Sequence, residues 1–575
     1  MIIEWDAPIV ADDGLVLRAD IFRPTGDGTH PVILTYGPYG KGMPFERNYP
    51  LAWNEMVAEF PEILEGTSGK YINFETADPE KWVPDGYACI RVDSRGAGRS
   101  PGFMDLLSER ETQDLYDCIE WAAAQPWSNG RVGLNGISYY AMNQWQVATL
   151  QPPHLAACCL WEGAADSYRD STYHGGIRTS FTRVYFDSLI VPSEYGYACQ
   201  HGLGEVGDRN PLTGQLICGD ETLTDDERAA CRADMGSIVS EHPFIDDYHR
   251  RRTPDTGRIT VPLLSAGNWG GQGLHLRGNT VGFMQAASNE KWLEMHESTH
   301  FMHFYTDYGV DLQKRFFGHF LKGDDTGWIE EPRVQMRVRH VDGHVERRVA
   351  DEWPLPATQW TPLYLDARDG SLGPSVPGEE ASGVYDGWVG RLSFSYSCPG
   401  PVEVIGPLSA KLFIESVTSD ADLFLVVRAF SPDGQEVVFP GAIDPHTPIA
   451  QGWLRASHRA LDEEKSRRYL PVHPHDKAEP LTPGAIYELD VEILPTSLIL
   501  PAGYRLVLDV QGHDYYYPHS TDEHGNDISM NTPNTGCGPF LHTEPDDRPR
   551  EIFGGRIRVH TGGKYPSHVL VPVIA

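Results

Sequence analysis

The chain has little positive charge for its size. Its 575 residues carry 47 Lys and Arg against 81 Asp and Glu, a net charge of −34. A surface so acidic repels phosphate backbones and anionic lipid headgroups, so neither nucleic acid nor membrane is an expected partner. Long apolar runs are also missing. The longest stretches, such as LAACCLW, are strand-sized, well short of the ~20 residues a membrane span needs. The opening MIIEWDAPIVADDG has no basic segment leading into an apolar one, so it does not read as a secretion signal. Cysteine is sparse: nine residues, an odd number, without CxxC or Cx2C…HxxxH spacing. That argues against a zinc site or a disulfide framework and fits a reducing cytoplasm. Cys158 and Cys159 sit inside an apolar run and read as small core hydrophobes. No cofactor or metal is expected, and there are no repeats or low-complexity tracts.

What is present is an ordinary globular composition, 40% hydrophobic and 22% charged, in a chain long enough for roughly two to four domains. IIEWDAPIV and LVLRADIF flank turn chemistry at Ala11-Asp12-Asp13-Gly14 and predict a hairpin. PVILTY (31–36) then runs into the Gly/Pro-rich GPYGKG. GYACIRVD (86–93), RVGLNG, LAACCLW, VPLLSAGNW (261–269) and KWLEM (291–295) are further strands. Helical patterns such as TQDLYDCIEWAAAQ and SYYAMNQWQVATLQ fall between them. Strands alternating with helices predict a mainly parallel, doubly covered α/β sheet. The rhythm breaks across 167–258, which reads as a helical insertion over the sheet. From 333 onwards short strands recur between Gly/Pro turns, beginning with RVQMRVRHV, and predict a β-sandwich. The expected division is 1–166 and 259–332 for the α/β domain, 167–258 for a cap, and 333–575 for the β domain.

The stretch RVGLNGISYYAM (131–142) carries the chemistry. A strand runs into Gly136-Ile137-Ser138 and straight on into a helix, the sharp turn on which α/β hydrolases mount a nucleophile. A small residue two before the serine is needed because backbones crowd there. The usual second glycine is Tyr140 here, and the small residue comes one later, at Ala141. A serine needs a base, and the loop after the last α/β strand holds three histidines, His296, His300 and His303. Acyl transfer also needs oxyanion donors. The Tyr139 amide is one, and Tyr39 in the loop after the third strand could offer its phenol. The aromatic residues Tyr139, Tyr140, Trp161, Trp269 and Tyr173 are expected to line a pocket for a bulky apolar or aromatic group.

Together these residues resemble the cocaine-esterase and X-Pro dipeptidyl-peptidase group, which includes α-amino-acid ester hydrolases. The likeness runs through VDSRGAGRSPG, IEWAAAQPWSNGRVGLNGISYYA, AGNW and the late β-rich part. It implies an α/β-hydrolase domain with an inserted helical cap and a C-terminal jelly-roll. It implies Ser138 in a G-x-S-Y-x-small pattern and an oxyanion tyrosine at Pro38-Tyr39. Counting about seven residues from Leu293, it implies His300 as the base. The group's acid would fall in the segment Ala266-Gly-Asn-Trp-Gly-Gly-Gln, where the aspartate position is Gly270. In some hydrolases of this fold the acid is carried instead after the strand next to the nucleophile's. Here that strand ends Trp161-Glu162-Gly163-Ala164-Ala165-Asp166. Glu162 is the first choice of acid, Asp166 the second, and Asn268 a third, neutral orienter.

Three readings follow. The first is a serine hydrolase acting on a small-molecule ester or amide through an acyl-enzyme on Ser138, with acyl transfer as a variant and homo-oligomerisation left open. The second is an X-Pro-type exopeptidase, which would need cap carboxylates such as Glu162, Asp166 or Glu194 to hold a peptide amine. The third is an inactive binding or scaffold protein, suggested by the missing acid.

Overall fold

The structure is a computed structural model that describes residues 1–197, 209–517 and 535–574. Cys199 and part of the cap insertion fall outside the described residues. A ten-stranded sheet forms the first domain. The opening hairpin pairs β1 (Ile2–Val10) with β2 (Val16–Arg23). There follow β3 (His30–Gly37), β4 (Ala88–Asp93), β5 (Ser128–Ile137) and β6 (Leu155–Trp161). The cap contains a two-residue hairpin, β7 (Tyr173–His174) and β8 (Ile177–Arg178). The sheet resumes with β9 (Leu263–Asn268), β10 (Lys291–His296), β11 (Val334–Arg339) and β12 (Val345–Ala350). The order is β1-β2-β4-β3-β5-β6-β9-β10-β11-β12, with β3 to β6 and β9 to β11 mutually parallel.

Every residue of β4 and β9 is buried, as expected of strands covered on both faces. The helix Glu109–Ala123 covers one face. Ser108 caps it by accepting from the Glu111 amide, and it buries Leu115, Cys118, Ile119 and Ala122 at helical spacing. The cap is built of short helices such as Phe181–Tyr185, Asp225–Ala229 and Asp247–Arg252. No helix among the described residues is long and apolar enough to cross a membrane.

One boundary is corrected. RVQMRVRHV, expected to open the β domain, supplies β11, which pairs parallel to β10 through Leu293 and Val334 and extends the first sheet. With β12 added antiparallel, that sheet reaches Ala350 rather than ending at 332. Alternation along a strand reports burial of a face but not which sheet the strand joins. The second domain starts at the strand Thr358–Asp366 and is a mainly antiparallel β-sandwich. Its two longest strands, Val402–Ser416 and Ile486–Leu500, pair along almost their whole length. Leu408, Leu412, Val427, Leu489 and Val510 are among its buried core residues.

Candidate active site

The strand β5 ends in the middle of the sheet, and Ser138 follows at φ 58, ψ −114, before the helix Tyr139–Ala148 begins. A non-glycine residue at positive φ is costly and is kept only where its surroundings hold it. Here the Ser138 amide donates to the carbonyls of Trp161 (3.0 Å) and Glu162 (3.1 Å), which ties the turn to the end of β6. The small residues around it have steric reasons. A Cβ at Gly136 would stand 2.4 Å from Tyr140 Cβ, and one at Gly163 would stand 2.6 Å from Ala141 Cβ. Gly136 therefore makes room for the Tyr140 Cβ and Gly163 for Ala141, while the Tyr140 ring packs over Gly37. Position 140 has room for a tyrosine, and the glycine of the common motif is not needed there.

His300, in the loop after β10, meets Glu162 at the end of β6. Glu162 leaves β6 at φ 47, fully buried, with its amide donating to Ala266 at 2.7 Å. Its Oε2 accepts from His300 Nδ1 at 2.8 Å, and its Oε1 lies 3.0 Å from His296 Nε2 and 3.3 Å from Asn268 Nδ2. Burial penalises its charge, but the two histidines outweigh that and hold the carboxyl down at about 2. His296 is itself clamped, with Nδ1 2.7 Å from Glu294. Burial would lower its pKa, yet Glu294 and Glu162 raise it to about 10. His303 faces Glu297 instead. Asp166 is engaged with Arg169 and the turn that follows it, and Asn268 is a hydrogen-bond partner of Glu162, of the Ser298 carbonyl and of the Gly270 amide.

Gly270 cannot carry an acid for a steric reason. A Cβ there would lie 2.4 Å from Gly441 Cα and 3.0 Å from the Pro440 carbonyl oxygen, both in the β domain. That loop also accepts the His300 amide on the Ala442 carbonyl (3.0 Å), while the Ala442 amide donates to Gly270 (3.0 Å). The second domain thus occupies the place where the acid would project and pins the histidine loop.

A small pocket opens at Ser138. Tyr39, Tyr139, Tyr185, Phe181, Met142, Met235, Leu107 and Leu274 give it an apolar wall, and His275 closes one side. Tyr39 Oη is 3.1 Å from Tyr185 Oη. Tyr139 gives its hydroxyl hydrogen to Glu111. Its amide heads the helix, where the first turn's N–H groups have no helical acceptor. Of the five rings expected to line the pocket, Tyr139 does and the other four do not. Tyr140 packs between Gly37 and Gly136. Trp161 stacks on His296 at 5.1 Å. Trp269 packs on Trp353 and donates to the Arg337 carbonyl, and Tyr173 stacks on Tyr168 inside the cap. Each is held by core packing, and it is cap and loop residues that face the serine.

Two site residues carry no sequence signal. His275 stacks on His300 (5.2 Å, interplanar 10°), and burial drives its pKa well below the usual value, so it is neutral. Glu75, in the irregular stretch before β4, is buried with Oε1 3.1 Å from His300 Nε2.

Residues 13–302 match the model of the X-Pro dipeptidyl-peptidase (S15 family), and residues 326–570 match that of the X-Pro dipeptidyl-peptidase C-terminal non-catalytic domain. The chain is 23% identical to the cocaine esterase of a Rhodococcus species over 98% of its own length and 97% of that protein's. It is 32% identical to a solved CocE/NonD family hydrolase from Staphylococcus aureus, covering 100% of this chain and 94% of that one, with a TM-score of 0.83. An α-amino acid ester hydrolase shares the fold, at 16% identity and a TM-score of 0.65, over 100% of this chain and 96% of that one.

Proposed function

Because the chain belongs to the X-Pro dipeptidyl-peptidase (S15) family and is a serine hydrolase, we propose that it cleaves a carboxylic ester through an acyl-enzyme on Ser138. The observation that carries this reading is a strained serine opening on an apolar pocket, joined through Glu75 to a Glu162–His300 pair. In this reading His300 Nε2 takes the Ser138 proton as Oγ attacks the ester carbonyl. Glu162 accepts the Nδ1–H, which selects the tautomer and stabilises the imidazolium. The developing oxyanion accepts from the Tyr139 amide and the Tyr39 hydroxyl. His300 returns its proton to the departing alkoxide. Water then attacks the acyl-enzyme by the same route, releasing the acid and restoring Ser138.

An ester fits better than a peptide. An exopeptidase needs a free carboxylate for the terminal ammonium, and the three considered are taken. Glu194 pairs with Arg228 and Arg232, Asp166 with Arg169, and Glu162 with the histidines. The inactive-scaffold reading drew on the empty acid position at Gly270, and Glu162 beside His300 removes that ground. The apolar wall favours a bulky apolar acyl or alcohol group. A panel of aryl and aliphatic esters tests this, and preference for short aliphatic acetates over every aromatic ester would count against it. A fluorophosphonate should modify Ser138, as read by peptide mass spectrometry. If Ser138→Ala keeps more than about a hundredth of the activity, the assignment fails, since removing a nucleophile costs ~10⁴ or more.

A further inference from the structure

In a serine triad the Nε2 face of the histidine is reserved for the serine. Here a carboxyl lies on it: Glu75 Oε1 is 3.1 Å from His300 Nε2. Glu75 is only 2% exposed, and its backbone stands at φ 62. Its carbonyl accepts the Ile137 amide at 3.2 Å, so the turn that delivers the carboxyl is locked onto the strand that delivers Ser138. The Ser138 hydroxyl lies within hydrogen-bonding reach of this carboxyl and favours its charged form, and no other group among the described residues bonds its Oε2. A costly φ and a buried carboxyl set between the serine and the histidine are not what packing alone would keep. A carboxylate and a neutral imidazole nitrogen are both acceptors, so the Nε2···Oε1 contact needs a proton on one of them.

We propose, resting on the reading of Ser138 and His300 above, that Glu75 is a further catalytic residue: it holds a proton against His300 Nε2 in the resting enzyme, competes with Ser138 for that nitrogen, and so sets the pH above which the serine is activated. When the shared proton leaves to solvent, the carboxylate and the Nε2 lone pair repel, and Nε2 turns to the Ser138 hydroxyl. During acylation the proton passes from Oγ to Nε2. The imidazolium then stands between Glu162 and Glu75 until the leaving alkoxide takes that proton.

The surrounding charges agree. Burial pushes Glu75 up to about 7 against the pull of His300. Burial would lower His300, but Glu162 and Glu75 raise it to about 9. Glu162 stays ionised and the stacked His275 stays neutral throughout that range. The phenols that feel Glu75, those of Tyr39, Tyr49, Tyr140, Tyr185 and Tyr305, are all raised above their usual value, so they also stay neutral. Among the groups in contact with His300, Glu75 at about 7 and His300 itself at about 9 are the ones that change charge in this range.

The test is kcat/KM for a 4-nitrophenyl ester against pH, which reports the free enzyme. The acid limb of the unaltered enzyme should lie above neutrality. Glu75→Gln should move it down by about one to three pH units, the usual effect of one adjacent opposite charge. An unmoved limb overturns the proposal, and so does loss of activity at every pH, which would make Glu75 the base itself. A second readout needs no variant: the rate at which a fluorophosphonate labels Ser138 in the unaltered enzyme. A rate that climbs only above neutrality supports the proposal. A flat rate across about pH 5–8, where an ordinary histidine titrates, overturns it while leaving Ser138 as the nucleophile. Absence of labelling at any pH would instead sink the Ser138 reading, and this proposal with it.

Discussion

Replacing Glu162 by Gln keeps the shape of the side chain and removes its charge. The charge matters most when His300 becomes an imidazolium, with Nδ1 2.8 Å from Oε2. At that separation, with an effective dielectric of about 20, two unit charges attract by about 6 kcal/mol. His296 draws on the same carboxylate from 3.0 Å, so the net loss is smaller, about 4–5 kcal/mol. That corresponds to a fall of about 10³–10⁴ in kcat, the scale seen when a triad acid becomes an amide elsewhere. KM should change little, because Glu162 is fully buried and does not line the pocket. Steady-state hydrolysis of a chromogenic aryl ester reads both parameters, and a thermal melt checks that the variant is folded. If folded Glu162→Gln keeps more than about a tenth of the kcat, this carboxylate is not what supports the imidazolium, and the electrostatic reasoning fails.

Tyr39→Phe should lower kcat by about 10²-fold with KM nearly constant, the effect of losing one oxyanion donor, and an unchanged kcat in the same ester assay would remove Tyr39 from that role. Gly270→Asp should not rescue Glu162→Gln. Its Cβ would press on Gly441 Cα and the Pro440 carbonyl, and a melt should show about 1–3 kcal/mol of destabilisation; rescue of activity would refute the steric account. His296, raised from 6.5 to about 10, contributes stability that is fully present below 6.5 and is lost as pH rises through about 10. His300, raised to about 9, acts in the same direction. Urea midpoints should therefore fall between about pH 6.5 and 10, and His296→Gln should flatten that fall. An equally steep fall in the variant would mean that His296 is not held charged.

The sequence alone was enough to mark the strand–turn–helix at Ser138, the helical insertion after residue 166 and the change to a strand-rich domain. Each of these is written in local chemistry: apolar period, turn residues, and the small side chains that crowding demands at Gly136 and Ala141. The histidine loop was legible from its place after β10, and Glu162 from coming directly off the strand beside the nucleophile's. Other features depend on contacts between distant segments. RVQMRVRHV joins the first sheet because β10 offers it a parallel edge, which no alternation pattern records. Tyr140, Trp161, Trp269 and Tyr173 are aromatic in any reading, but only packing puts them in the core and leaves Phe181, Tyr185 and Met235 to face the serine. Glu75 stands in an irregular stretch with no periodicity, and it reaches His300, 225 residues away, only because its turn is bonded to the end of β5. The acid shows the division most clearly. That Gly270 bears no carboxylate is plain from the sequence. That it can bear none is decided by the second domain, whose Gly441 backbone fills the space a side chain would need.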